Sequence, residues 1–278
     1  MSESQFSEYN YRLFSQFLES ASGIVLGENK QYLVKSRLTS HVKIQGVANI
    51  DQLIEKIVVK KDRQAQLAAI EAMTTNETLW FRDSYPFSLL ENTILPKYEQ
   101  RGSPLKIWSA ACSSGQEAYS IAMTIQNFQK KRSGALRAGA QILGTDISEE
   151  MLQKCRLAEY DQLAISRGLP DNFRQEYFEP ADNARLRVKS QLRAMASFRQ
   201  FNLLDSFSSL GRFDIIFCRN VLIYFSPDVK RQILQKIAAC LQDDGILFVG
   251  ASESISDLVN QFSMVRCNPG LYYVKKPQ

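Results

Sequence analysis

From Pro104 onward, short apolar runs alternate with longer segments of helical periodicity, and this alternation restricts the possible fold more than any other feature. Each run of five or six residues is typical of a buried strand, and helices are predicted between strands at residues 117–128, 149–158 and 227–241. Strands joined by such crossovers run parallel, so the pattern predicts an α/β fold with a mostly parallel sheet. The predicted strands are residues 105–110, 142–146, 197–202, 213–218 and 245–250.

Two segments depart from this alternation. Residues 262–266 and 271–275 flank Asn268, Pro269 and Gly270, which predicts an antiparallel hairpin and one reversed strand in the sheet. Residues 185–192 alternate apolar and charged side chains, so we expect a small β-subdomain inserted at about residues 179–196.

The N-terminal part of the chain has a helical pattern and no strand pattern. An apolar helix face is predicted by residues that recur at spacings of three and four: Phe6, Tyr9, Leu13, Phe17 and Leu18. Asn49 is a predicted N-cap for a later helix. The expected divisions are a helical domain (1–73), a junction that contributes to a ligand site (74–103) and the α/β domain (104–278).

Histidine and cysteine usage excludes several kinds of chemistry. The 278 residues include one histidine, His41, which leaves no Ser-His-Asp, Cys-His or multi-histidine metal site in the α/β domain. The five cysteines form no CxxC pair, so we predict reduced thiols and no metal site. No apolar stretch approaches the ~18–20 residues that cross a bilayer, and the N-terminus lacks a signal pattern. The sequence therefore predicts a cytoplasmic protein without membrane insertion.

A run of small residues follows the first predicted strand. Residues 109–115 read Ser-Ala-Ala-Cys-Ser-Ser-Gly, and a helical segment starts near Glu117. Small side chains let a ligand approach the backbone, and a helix N-terminus offers N–H groups to its oxygens. Residues 107–117 fit a nucleotide-type cradle and equally an ordinary tight turn, because they contain one glycine where the dinucleotide fingerprint has three.

Polar residues also follow two later strands. Asp146 stands at the end of the second strand, where an acid accepts hydrogen bonds from ribose hydroxyls in nucleotide-binding α/β folds. The alternative for Asp146 is a helix N-cap. Arg219 and Asn220 follow an apolar strand, at the edge where ligands of open sheets bind. A capped strand with a surface arginine is the alternative for this pair.

The fourth polar group stands at the junction, where residues 74–83 read Thr-Thr-Asn-Glu-Thr-Leu-Trp-Phe-Arg-Asp. A capped linker helix or a ligand site beside a domain boundary would explain it. Together the four groups resemble the chemotaxis receptor methyltransferase family, CheR, over essentially the whole chain. The matching motifs are residues 75–78 with 81–83, 108–113 with Gly115 and Glu117, 144–146, and 218–220 with Tyr224 and Phe225.

This resemblance implies an S-adenosylmethionine-dependent methyltransferase. Its fold would be a Rossmann-like, mostly parallel seven-stranded sheet with a C-terminal antiparallel hairpin, a small inserted β-subdomain and an N-terminal all-helical domain. The implied reaction moves a methyl group from S-adenosylmethionine to glutamate side chains on the cytoplasmic helical domain of membrane chemoreceptors, forming methyl esters in chemotaxis adaptation. The implied cofactor contacts are Asn76, Thr78, Arg82, Glu117, Asp146, Asn202, Leu203, Arg219 and Asn220.

The scarcity of histidine suits such a reaction. A glutamate side chain has an unperturbed pKa of about 4.3, so the nucleophile is already ionised at neutral pH. Attack on a sulfonium methyl then requires positioning and desolvation, not a general base. We expect Arg82 and Tyr224 to act catalytically by holding the incoming carboxylate or the cofactor near the methyl group.

Two features bear on the receptor. Residues 179–185 stand where receptor-tether-binding members of the family carry a longer, glycine-rich loop, so docking on a C-terminal receptor peptide is doubtful. Between Lys30 and Arg63, eight basic residues stand against three acidic ones. A solvated helix face explains this excess, and so does a basic surface that steers the acidic methylation helices of a receptor.

Two other functions fit part of the sequence. The net charge of +5 superficially suits a nucleic-acid methyltransferase, but residues 219–222, Arg-Asn-Val-Leu, lack the Asn/Asp-Pro-Pro-aromatic turn of amino-methylating enzymes. We therefore expect no nucleic-acid partner. An S-adenosylmethionine-binding regulatory or scaffold protein of a signalling system would need the same cofactor residues without turnover, and it stays the alternative.

Overall fold

The computed structural model describes residues 6–256 and 260–277. The chain divides into two compact units, of which the first takes in the chain up to Thr75 together with Tyr224–Val229. The second takes in Asn76–Ile223 and the chain from Lys230 onward. Within the described ranges, no helix is long and apolar enough to span a membrane.

The first unit is built from helices, and capping side chains fix the starts of α-helices at Glu8, Ile50 and Arg63. Ser7, Asn49 and Asp62 each accept a hydrogen bond from the backbone N–H three residues later. Each bond satisfies a donor that the first helical turn leaves unpaired, and it confirms the predicted cap at Asn49. The helices are α1 (Glu8–Ser22), α2 (Gln31–Ile44), α3 (Ile50–Ile54) with a π-helical continuation (Glu55–Val59), and α4 (Arg63–Met73).

The buried face of α1 agrees with the predicted one in part. Leu18 is fully buried, as predicted. Tyr9 is 71% exposed, so its placement on the apolar face is wrong, and Phe14, which the predicted face did not include, is fully buried. Tyr11 is buried instead, and its hydroxyl donates a 2.6 Å hydrogen bond to the Gly27 carbonyl. That bond lets the phenol enter the core with its polar end satisfied.

The second unit contains two sheets. The strands are β1 (Leu105–Ala110), β2 (Ala140–Asp146), β3 (Glu159–Tyr160), β4 (Phe178–Pro180), β5 (Leu186–Val188), β6 (Ala196–Gln200), β7 (Phe213–Cys218), β8 (Leu241–Val249), β9 (Phe262–Cys267) and β10 (Gly270–Lys275). Before β1, the chain forms α5 (Tyr85–Leu89), a π-helical turn (Leu90–Ile94) and a 3-10 turn (Leu95–Tyr98). The later helices are α6 (Gln116–Lys131), α7 (Glu149–Leu157), α8 (Gln162–Ser166), α9 (Asp171–Tyr177), α10 (Ser190–Arg193) and α11 (Pro227–Cys240).

The main sheet has the strand order β6-β2-β1-β7-β8-β10-β9. The first five strands in this order run parallel, and β10 runs antiparallel to both β8 and β9. This arrangement confirms the predicted seven-stranded, mostly parallel sheet with its C-terminal hairpin. Because parallel strands end on the same side, the loops after β1, β2, β7 and β8 meet at one edge, the carboxyl edge of the sheet.

The small sheet is antiparallel, with the order β3-β5-β4. Its strand β3 lies earlier in the chain than the insertion expected at about residues 179–196, and Ala196 begins a strand of the main sheet. Arg187 on the central strand pairs with Glu159 on β3. This contact joins residues 28 positions apart, and local alternation of apolar and charged residues does not reveal it.

Candidate functional site

The loop between β1 and α6 is a tight turn at the carboxyl edge. Three of its residues have left-handed backbone angles: Ala111 (φ 57°), Ser113 (φ 49°) and Gly115 (φ 93°). At Gly115 an added Cβ would lie 3.1 Å from the Sγ of Cys155, in a conformation that favours glycine. Gly115 is the N-cap of α6, and because it has no side chain, no side-chain cap bonds the first N–H groups of the helix. These groups are suited to a ligand's oxygens.

Asp146, the last residue of β2, shapes this cradle. Its Oδ2 accepts a 2.8 Å hydrogen bond from the Ser113 N–H, and its Oδ1 accepts a 3.0 Å bond from the Ser148 N–H. The N-cap of α7 is Ser148, whose hydroxyl accepts from the Met151 N–H, so the capping role considered for Asp146 belongs to Ser148. Each oxygen of a carboxylate can accept more than one hydrogen bond, which makes these contacts compatible with ribose binding.

Arg219 follows β7 and forms the centre of a buried ion-pair network. Its Nη1 donates to Glu117 at 2.9 Å, and its Nη2 donates to Asp83 and to the Arg82 carbonyl at 2.7 Å each. The other oxygen of Glu117 accepts a 2.7 Å bond from the Ser109 hydroxyl. The Arg219 side chain is 1% exposed, so this cation lies between two carboxylates with little water to screen it. The network therefore carries one more negative than positive charge.

A strained turn brings the junction segment to this network. Phe81 (φ 47°), Asp83 (φ 65°) and Ser84 (φ 50°) all have left-handed backbone angles, which are uncommon for residues with side chains. The turn is held by a 3.1 Å hydrogen bond from the Phe81 N–H to the Ser120 hydroxyl. Arg82, on the same turn, donates from Nη1 to the Glu77 carbonyl at 3.2 Å. Backbone strain of this kind is concentrated at ligand sites.

The corner after Arg219 is fixed by a residue that sequence reasoning missed. Asn220 has a left-handed backbone angle (φ 59°), and its N–H donates a 2.8 Å hydrogen bond to Glu253. The same carboxylate also accepts from the Gly250 N–H at 2.7 Å and the Ile223 N–H at 3.2 Å. A weaker signal for Glu253 was present, because it is the first charged residue after β8, whereas Arg219 follows β7 directly.

The remaining predicted residues are placed as follows. The Asn76 carbonyl accepts a 2.9 Å bond from the Ser113 hydroxyl, so the junction contacts the cradle, and Thr78 lies on the same segment. Asn202 and Leu203 follow Phe201, whose N–H donates to the Asp146 carbonyl at 2.9 Å. Tyr224 belongs to the first unit, where its carbonyl accepts a 2.9 Å bond from the Val25 N–H.

Contacts within the second unit thus join most of the predicted site residues at the carboxyl edge. Asn76 and Asp146 are joined through Ser113, and Arg82 and Glu117 are joined through Arg219. Sequence reasoning gave no role to Ser109, Asp83 or Glu253. The pairing of Asp83 with Arg219 spans 136 positions of the chain, which no local pattern reports.

The chemistry of these groups fits S-adenosylmethionine, which carries two cations, a carboxylate and ribose hydroxyls. The surplus negative charge of Glu117 and Asp83 over Arg219 suits an ammonium or a sulfonium group. Asp146 suits hydroxyl donors. The Nε of Arg219 is buried and has no hydrogen-bond partner among the described residues, and an oxygen of a ligand would satisfy it.

Comparison with known proteins gives a match over nearly the whole chain. The sequence profile described as CheR methyltransferase, SAM binding domain matches residues 76–271. The profile described as CheR methyltransferase, all-alpha domain matches residues 10–74.

Curated relatives agree with these profiles. Chemotaxis protein methyltransferase 1 of Vibrio cholerae is 52% identical over 270 residues, covering 97% of this chain and 98% of the relative. Chemotaxis protein methyltransferase 1 of Pseudomonas aeruginosa is 48% identical over 269 residues, covering 96% and 98%. The chemotaxis protein methyltransferase of Salmonella typhimurium is 32% identical over 262 residues, covering 93% and 88%.

Proposed function

Because this chain belongs to the CheR methyltransferase family of S-adenosylmethionine-dependent enzymes, we propose that it methylates glutamate side chains on the cytoplasmic helical domain of membrane chemoreceptors. The product would be a glutamyl methyl ester. The observation that carries this proposal is the buried Arg219 network beside the β1–α6 cradle, which has a charge surplus suited to a cationic cofactor. A cytoplasmic location follows from the substrate domain proposed.

The nature of the acceptor explains why the described site needs no general base. A glutamate carboxylate is ionised at neutral pH and can attack directly. When bound, S-adenosylmethionine supplies a methyl group on a sulfonium sulfur, whose positive charge disappears as the carboxylate oxygen takes the methyl. The task left to the protein is to align the two reactants and exclude water.

We assign the binding work to the residues at the carboxyl edge. Glu117 and Asp83 would attract the cationic part of the cofactor, and Arg219 would keep these carboxylates at a fixed separation. Asp146 would accept hydrogen bonds from the ribose. The cofactor cleft would be completed by Asn76, Thr78, Asn202, Leu203 and Asn220.

Arg82 and Tyr224 are the proposed catalytic residues. The Arg82 guanidinium donates from Nη1 to the Glu77 carbonyl at 3.2 Å, and the side chain is partly exposed. Arginine has five N–H donors, so the group retains capacity to hold an incoming carboxylate. For Tyr224 the proposed catalytic group is the side-chain hydroxyl, as a hydrogen-bond donor.

The basic residues of the first unit do not all serve a receptor. Arg37 donates to the Met73 and Thr74 carbonyls at 2.6 and 2.8 Å and to the Thr75 hydroxyl at 3.0 Å. This arginine therefore holds the end of α4. Receptor steering is proposed for exposed residues such as Lys43 and Lys61.

The test is a methyl-transfer assay with labelled cofactor and receptor-containing membranes. Alkali-labile label on the receptor is expected for a glutamyl ester. Cofactor binding without transfer would favour the scaffold alternative, and alkali-stable label on nucleic acid would overturn the proposal. Arg82→Ala should lower turnover at saturating cofactor, whereas Arg132→Ala, which removes an exposed pair with Glu99, should leave it unchanged.

A further inference from the structure

Glu253 connects the two loops that follow β7 and β8. Its Oε2 accepts hydrogen bonds from the Asn220 N–H at 2.8 Å and the Gly250 N–H at 2.7 Å, and its Oε1 accepts from the Ile223 N–H at 3.2 Å. Hydrogen bonds from amides to an ionised carboxylate are about twice as strong as neutral ones. One side chain therefore fixes three backbone groups at the carboxyl edge.

The packing around Glu253 leaves this corner little freedom. A Cβ added at Gly250 would lie 2.7 Å from the Asn220 Nδ2 and 2.7 Å from the Glu253 Oε2. Asn220 has a left-handed backbone angle, φ 59°, which costs energy unless neighbouring contacts hold it. The N–H that this conformation presents is the one bound by Glu253.

The corner matters because Arg219 directly precedes Asn220. Arg219 can reach Glu117, Asp83 and the Arg82 carbonyl only if the chain leaves β7 in the right direction. We propose that Glu253 is a positioning residue for the cofactor site, which acts by fixing the direction of Arg219 and Asn220. This inference rests on the proposed function, because it takes Arg219 and Asn220 as part of the site that binds S-adenosylmethionine.

A matched control lies at the opposite end of β7. Asp214 is a buried carboxylate that accepts a 2.8 Å bond from the Lys106 N–H and pairs with Arg101 at 2.6 Å. Like Glu253, it ties neighbouring segments of the sheet through a backbone N–H. Unlike Glu253, it lies near the amino ends of β1 and β7, away from the site.

The experiment compares Glu253→Ala, Glu253→Gln and Asp214→Ala in the full-length protein. Binding of S-adenosylhomocysteine is measured by calorimetry well below the unfolding transition, and unfolding is followed in urea. Glu253→Ala is expected to weaken binding about tenfold, because three amides lose their acceptor. Glu253→Gln keeps one oxygen in place for Asn220 and Gly250 and should lie between wild type and Glu253→Ala. Asp214→Ala should lose stability yet bind within about twofold of wild type.

The outcomes separate a positioning role from a merely structural one. Unchanged binding in both Glu253 variants would overturn the inference, and so would equal weakening in Asp214→Ala, which would indicate general loosening. If Glu253→Ala does not fold, the comparison of Glu253→Gln with Asp214→Ala decides. Failure of the wild-type protein to bind S-adenosylhomocysteine would instead count against the proposed function. The two failures are therefore distinguishable.

Discussion

The two ends of β7 both carry a buried charged residue, but the charges are compensated differently. At the amino end, Asp214 is matched by Arg101 and by the Lys106 N–H. At the carboxyl end, Arg219 faces both Asp83 and Glu117, and its Nε has no partner among residues 6–256 and 260–277. One end is balanced in charge and hydrogen bonding, and the other has surplus negative charge and an unused donor.

This difference separates stability from function along a single strand. Burying a charge is costly unless it is paired, so a fully paired Asp214 is explained by folding alone. Surplus charge and an unsatisfied donor are not explained by folding, and they lie at the edge where parallel sheets bind ligands. We therefore expect substitutions at the carboxyl end to change cofactor binding, and substitutions at the amino end to change stability alone.

The largest effect is expected for Arg219→Ala. The substitution leaves Asp83 and Glu117 facing each other without a cation, and removing one partner of a buried pair typically costs about 3–5 kcal/mol. We expect the free energy of unfolding in urea to fall by about 3 kcal/mol and S-adenosylhomocysteine binding to weaken about 100-fold. Arg219→Lys, which keeps the charge but not the planar fork, should be intermediate in both measurements. If Arg219→Ala bound S-adenosylhomocysteine with wild-type affinity, the assignment of Arg219 to the cofactor site would be wrong.

Asp214→Ala is expected to lower the stability less than Arg219→Ala does and to leave cofactor binding unchanged. It leaves the Lys106 N–H without an acceptor, but the Arg101 side chain is 28% exposed and can be hydrated. We expect a loss of about 2 kcal/mol in the free energy of unfolding, with unchanged calorimetric affinity for S-adenosylhomocysteine. A binding defect as large as that of Arg219→Ala would contradict the division between the two ends.

Glu117→Gln tests the surplus negative charge with almost no change in shape. The amide can keep the hydrogen bond from Ser109 but then turns a donor toward Arg219. We expect stability to fall by about 1 kcal/mol and the Kd for S-adenosylmethionine to rise about tenfold. Glu91→Gln is the control, since Glu91 is similarly buried (17% exposed against 14%) and pairs with Lys131 away from the carboxyl edge. Equal effects of the two substitutions would show that charge at the site is not the cause.

Sequence patterns predicted those features of the fold and the site that depend on residues close together in the chain. The strand–helix alternation, the cap at Asn49 and the polar residues after β2 and β7 all lie within a few positions of the features they shape. The resemblance to a family implied that these residues contact the cofactor, and it gave no contacts among the residues themselves. The location of Arg219 at the end of β7 was thus predictable, and the identity of its partners was not.

The missed features depend on contacts between distant parts of the chain. Asp83 meets Arg219 because a strained turn over residues 81–84 points it there, and periodicity gives no sign of such a turn. Glu253 meets Asn220 across 33 positions because the loops after β7 and β8 lie side by side. Spacing alone predicts Tyr9 on the apolar face of α1, whereas Tyr11 is the buried tyrosine of this helix, with its hydroxyl bonded to the Gly27 carbonyl. In each case the deciding interaction is tertiary.

Two native cysteines can report on the ends of β7 separately, with the smallest expected effects. Cys218 is the last residue of β7, and Cys240 precedes Leu241, which pairs with Phe213 at the start of β7. Burial raises the pKa of both thiols, so at pH 8 less thiolate is present than in a free cysteine, and alkylation should be slow and should speed up as the pH rises. We expect Arg219→Lys to increase the rate of iodoacetamide labelling of Cys218 about threefold and to leave that of Cys240 unchanged. Asp214→Ala should increase the labelling rate of Cys240 and leave that of Cys218 unchanged. Both rates are measured by mass spectrometry of peptides. Parallel acceleration of both thiols in either variant would mean that the strand loosens as a whole, and the two ends would then not be independent.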